Sequence, residues 1–168
     1  MTPRIRKLAL TAHVVSSVGW LGAVVAFLAL AVAALTSDDA QLVRGAYLTM
    51  EVTGWAVLVP LALASLLTGL VQALGTTWGL FRHYWVLFKL LINVFATLVL
   101  LLYTQTLDSF ADVAAAAASG DDLGTLRSPS PVLHASAALL LLLVATTLAV
   151  YKPRGLTPYG QRRQRDRQ

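Results

Sequence analysis

Four long runs of apolar residues separated by short polar breaks dominate the chain. They occupy positions 8–35, 45–74, 84–107 and 132–151. A helix rises about 1.5 Å per residue and the hydrocarbon of a bilayer is about 30 Å thick, so each run can cross as one helix. The breaks have turn and loop composition: Thr36-Ser37-Asp38-Asp39, then Gly75 to Arg82, then the longest, from Gly120 to Pro131. The pattern predicts an all-α, integral-membrane four-helix bundle with antiparallel neighbours. It forms one domain over 1–155, followed by a mobile basic tail over 156–168.

Local signals refine the elements. Thr2-Pro3 predicts the start of the first helix, with threonine as cap and proline in the first turn. Ser16, Gly19, Ala23 and Ala26 recur at helical spacing and predict the packed face of that helix; the same small residues suit a homo-oligomer. The second helix begins as early as Ala40, ends near Gly75, and carries Pro60, which predicts a kink. Ser65, Thr68, Gly69 and Gln72 form a polar stripe near its end, and Glu51 is read at the outer interface. Trp78, Tyr84 and Trp85 mark a membrane interface, and the third helix is expected to run on through 108–119.

Composition confirms the class. With 168 residues, 57% hydrophobic, 12% charged and a mean hydropathy of +0.70, the chain is too apolar for a soluble domain. The net charge of +5 is a topology signal. Arg4, Arg6, Lys7, Arg82, Lys152, Arg154 and the arginines from 162 to 167 fall on one side, which places both termini in the cytoplasm of a plasma-membrane protein. The opposite loops carry Asp38, Asp39, Asp108, Asp112, Asp121 and Asp122. The basic tail therefore has an anionic leaflet as its nearest partner, and no nucleic acid is expected. Ala31-Val32-Ala33 imitates a signal-peptidase site, but the preceding apolar run exceeds the usual ~7–15 residues and is read as a retained span. The absence of cysteine excludes disulfides, thiolate ligands and thiol redox chemistry.

Candidate chemistry centres on Lys89, an ammonium inside an apolar helix, at a cost of about 2.5–3.5 kcal/mol at the bilayer centre and less near an interface. Either its stem snorkels to the headgroups, or it faces the bundle and holds a buried anion such as a cofactor propionate. His13 lies at a similar depth on the first helix, with Ser16, Ser17 and Trp20 around it and Asn93 one turn beyond Lys89. Lipid cannot satisfy these groups, so one polar pocket gathers them. There His13 either ligates iron or another metal, or bonds a helix carbonyl. His83 beside Arg82 is expected to be solvated. His134 belongs near the opposite face, so the two ends are not expected to form a bis-histidine site.

The stretch His13-Val14-Val15-Ser16-Ser17-Val18-Gly19-Trp20-Leu21-Gly22 resembles the first-helix pattern of the four-helix membrane protoporphyrinogen oxidase family, and Trp85-Val86-Leu87-Phe88-Lys89 is similar to that family's tryptophan-x-x-x-lysine. Copper-resistance D-type membrane domains share much of this pattern. The resemblance covers helices one to three and implies a haem b site, with His13 matching the axial ligand and Lys89 the helix-three lysine. The leading expectation is a membrane haem b or tetrapyrrole protein, an oxidoreductase working with a quinone or porphyrin. In it His13 ligates iron, Lys89 neutralises a propionate, Asn93 and Ser17 orient the partners, and Trp20 and Trp85 line the pocket. The rivals are copper or other metal handling through His13 with Met50, and a non-catalytic bundle that packs against a partner complex.

Overall fold

The computed structural model describes residues 2–75, 79–117 and 123–165; Trp78, Asp121 and Asp122 lie outside them. Helix α1 spans Pro3–Thr36, capped by the Thr2 hydroxyl, which accepts from Ile5 N. Asp39 caps the next helix, α2 (Ala40–Thr53), through Gln41 N at 2.9 Å. A π-helical turn, Gly54–Leu58, joins α2 to α3 (Val59–Gly75). That wide turn, closed by Val59 N donating to Gly54 O, lies directly ahead of Pro60, where the sequence predicts a kink. Helix α4 runs over Tyr84–Ala116 and α6 over Ser130–Tyr151, with a single turn, α5 (Leu123–Leu126), between them. Lys152, at φ 43°, ends α6 in the left-handed conformation, and Pro153 follows it.

All four long helices are apolar enough to span a membrane, counting α2, the π turn and α3 as one crossing. They pack as an all-α bundle in which each crossing touches its sequence neighbours and the first touches the fourth. Only 17–28% of each crossing's most apolar window is buried. The remaining apolar surface faces outward, an arrangement suited to lipid and not to water. Arg6 and Lys152 line one cavity, so both termini emerge at the same end.

The core is apolar in the middle and towards the far end, where Trp20, Phe27, Tyr47, Met50 and Leu107 are buried. Tyr47 there donates to the Leu126 carbonyl, Arg44 Nε donates to Ala114 O at 2.8 Å, and Arg127 pairs with Asp38. Most of the buried polar residues gather in the terminal half instead, among them His13, Ser16, Ser65, Asn93 and Thr97, with Thr104 buried towards the far end.

The packed face of α1 is His13, Ser16, Trp20, Val24, Phe27, Ala31 and Ala34. Of the small-residue stripe, Ser16 is buried, Gly19 lies against Leu61 of α3 and Ala23 packs on the core, whereas Ala26 is exposed. One expectation is corrected. The tail expected to be mobile is docked. Thr157 N donates to Arg82 O at 3.0 Å, Tyr84 N to Gly155 O at 3.3 Å, and helix α7 follows over Pro158–Arg165. Gly160 permits this docking, since a Cβ there would lie 2.5 Å from the Arg82 carbonyl oxygen.

Candidate functional site

The imidazole of His13 is held from two sides. Its Nδ1 lies 3.1 Å from the Ser65 carbonyl oxygen and 3.1 Å from the Thr68 hydroxyl oxygen. A carbonyl only accepts, and the Thr68 hydroxyl donates its own hydrogen to Ala64 O at 2.6 Å. Nδ1 therefore carries the proton, and Nε2 presents a lone pair. Lys89 Nζ lies 3.1 Å from that Nε2 and donates to it.

This contact decides between the two readings of Lys89. The side chain turns into the bundle and does not snorkel to the lipid headgroups. Among the described residues the only ion pair is Arg127 with Asp38, at the other end, so no carboxylate accompanies the Lys89 ammonium. An inward cation without an anion, in a medium that cannot hydrate it, suits an anionic guest.

Helix α3 shapes the other side of the histidine. Gly69 faces it so closely that a Cβ would sit 3.1 Å from His13 Cε1. Ser65 Oγ pairs with Ser17 Oγ at 2.7 Å, tying α1 to α3 one turn further in. Ser65, Thr68, Gly69 and Gln72 follow i, i+3, i+4, i+7 spacing, which places them on one helix face. That spacing is the signal in the sequence for the α3 wall. The Ser65 acceptor is a backbone group, however, and no residue type announces it.

A cavity of about 650 Å³ opens beside this cluster. His13, Ser17, Trp20, Trp85, Lys89 and Asn93, all six candidate site residues, line it. Arg6 and Lys152 add charge at its mouth, a contribution that sequence reasoning missed, while Leu142 and Ala145 of α6 supply an apolar wall. A smaller cavity of about 100 Å³ lies between α3 and α4, also against His13, Lys89 and Asn93.

Compared with protein-family models, curated proteins and solved structures, the chain has no match. No family is identified, and the likeness to the protoporphyrinogen oxidase family stays confined to the motifs around His13 and Lys89.

The remaining candidates lie elsewhere. Met50 is fully buried in the far core and lines neither cavity at His13. Among the described residues no group of three or more His, Asp or Glu side chains is placed to hold a metal ion. His83 begins α4 with its ring 6.4 Å from that of Trp85. His134 lines a different cavity from His13.

The residues present fit a haem. The volume falls within the roughly 300–1,000 Å³ of cofactor sites. A histidine whose Nδ1–H is fixed by a backbone carbonyl, leaving Nε2 as ligand, has the outer-shell support metal-bound histidines show. Lys89 covers Nε2 here, and its flexible four-carbon stem allows the ammonium to swing to a neighbouring carboxylate.

Proposed function

We propose that this protein binds haem b, or a closely related tetrapyrrole, in the cavity at the end of the bundle that carries the termini. The observation that carries the reading is the His13 tautomer: Nδ1–H is committed to Ser65 O, and the Nε2 lone pair faces a cavity-lining lysine. His13 would ligate the iron, and Lys89, with Arg6 and Lys152 at the mouth, would receive the propionates. Ser17, through Ser65, holds α1 against α3 and so sets the height of the imidazole. Trp20 and Trp85 line the cavity and would flank the macrocycle, and Asn93 would add a polar contact from α4.

When bound, haem supplies one-electron transfer, and a quinone or porphyrin is the partner class assigned to it. The cationic flanks Arg4, Arg6, Lys7, Lys152 and Arg154 support a cytoplasmic assignment for this end of the bundle, with both termini.

Haem titration of the detergent-purified full chain tests the reading. A Soret band that saturates with the wild type and is lost in His13→Ala is the expected result. The proposal fails if no band forms with haem supplied, or if His13→Ala gives the wild-type spectrum.

A further inference from the structure

The two cavities at His13 share one wall. His13, Gln72, Trp85, Lys89 and Asn93 line both the 650 Å³ cavity and the 100 Å³ one. The smaller chamber lies on the α3 side of that wall, with Leu66, Ala73, Leu80 and Val86 as its apolar sides.

Asn93 is the residue there whose hydrogen bonding the fold leaves incomplete. It is 6% exposed, and beyond the helical ladder its only bond is the one its backbone carbonyl accepts from the Thr97 hydroxyl at 2.7 Å. Its side-chain amide has no partner among the described residues. Buried polar groups in folded proteins are otherwise almost always paired, because an unpaired one keeps the full cost of its desolvation. Lys89 stands one helical turn away, at i, i+4 spacing on the same face of α4. Its ammonium has three hydrogens, of which one goes to His13 Nε2. No described residue accepts the other two. Two hydrogens of Lys89 and two of Asn93 are thus left over at a chamber whose lining includes no carboxylate.

We propose that the smaller chamber binds a monovalent anion of halide size, held between the Lys89 ammonium and the Asn93 amide. Charge and size select that class. The surplus of donors calls for an occupant that accepts, which excludes a cation and an acyl chain. Water accepts as well as donates, but it leaves the ammonium's charge uncompensated where the dielectric is low. Liquid water takes about 30 Å³ per molecule, so about 100 Å³ holds a halide with a water or two and is too small for a lipid headgroup or a porphyrin. The apolar sides disfavour sulfate, whose two charges lose more hydration on entry than one ammonium returns. The anion keeps the Lys89 charge compensated while the larger cavity is empty. The site needs no haem, and its measurement without haem is separate from the Soret titration.

The test is the chlorine NMR linewidth of the haem-free full chain, purified in an uncharged detergent, as chloride is titrated into gluconate buffer. The wild type should broaden the chloride line saturably, with bromide displacing chloride and sulfate at equal ionic strength failing to do so. Lys89→Met should lose the saturable component. Asn93→Leu, similar in volume but without donors, should weaken binding about tenfold, the worth of one hydrogen bond to a charged partner. Ala73 lines only the smaller chamber, and Ala73→Phe should abolish binding by filling it. Broadening without saturation in the wild type, displacement by sulfate as readily as by bromide, or wild-type binding in any of the three variants overturns the proposal. The wild-type comparison of anions requires no substitution and stands even where a variant fails to fold.

Discussion

Lys89 Nζ and His13 Nε2 meet at 3.1 Å although 76 positions separate them in the chain. The other ring nitrogen of His13 is tied to the Ser65 carbonyl and the Thr68 hydroxyl, so three of the four crossings converge on one imidazole. Helix α3 sets the ring's orientation and α4 sets what its lone pair sees. An ammonium donating to a neutral imidazole, away from any carboxylate among the described residues, is an arrangement that an acidic guest completes.

Lys89→Met removes the charge and retains a flexible apolar stem. A charged hydrogen bond is worth ~1.5–3 kcal/mol, so haem affinity should fall by about 10- to 100-fold, with Lys89→Arg keeping most of it. Titration followed at the Soret band measures this, and an unaltered Kd in K89M would separate the ammonium from ligand binding.

Gly69 is the close-approach position of the site, with only 3.1 Å between its would-be Cβ and His13 Cε1. Gly69→Val should push the imidazole off Ser65 and cost about 1–3 kcal/mol through overpacking. Both a lower thermal midpoint in detergent and weaker haem binding are expected, with Gly69→Ala intermediate. Wild-type melting and spectrum in G69V would show that the ring tolerates displacement.

At the far end, Tyr47 donates to Leu126 O at 2.5 Å, and both residues are fully buried. Tyr47→Phe leaves that carbonyl without its donor and should destabilise the bundle by roughly 1–3 kcal/mol. Denaturant titration in mixed micelles reads the loss. The haem spectrum should not change, because Tyr47 lines neither cavity at His13.

The absence of cysteine makes topology directly measurable. A single Asp38→Cys should react with a membrane-impermeant maleimide on intact cells, whereas Gln161→Cys should react only after permeabilisation. The opposite pattern would invert the assigned orientation and place the His13 cavity on the outer side.

Docking of the tail rests on Gly160 against the Arg82 carbonyl. Gly160→Val should release α7 and speed tryptic cleavage at Arg162 and Arg163 severalfold, without altering the stability of the four crossings. Equal cleavage rates in the two proteins would show that the contact does not restrain the tail.

The length of an apolar run and the composition of a break are one-dimensional properties, so the sequence alone determined the number of crossings, the all-α bundle, the Thr2-Pro3 start and the extension of α4 past the hydrocarbon. It also determined that His13, Ser17, Lys89 and Asn93 belong together, because lipid satisfies no polar group and such side chains have only the interior to turn to. Apolar residues carry no such instruction. A helix that is hydrophobic all round has no face marked for burial, which is why Trp20, Val24 and Phe27 on the packed side of α1, and the exposure of Ala26, could not be read from the sequence. Only the tertiary structure decided the Ser65 carbonyl as the partner of His13, the 3.1 Å contact with Lys89, the docking of Thr157 on the 81–82 turn and the two cavities that meet at His13, Lys89 and Asn93. Each depends on backbone groups or on helix rotation, and both are settled by the fit of all four crossings at once.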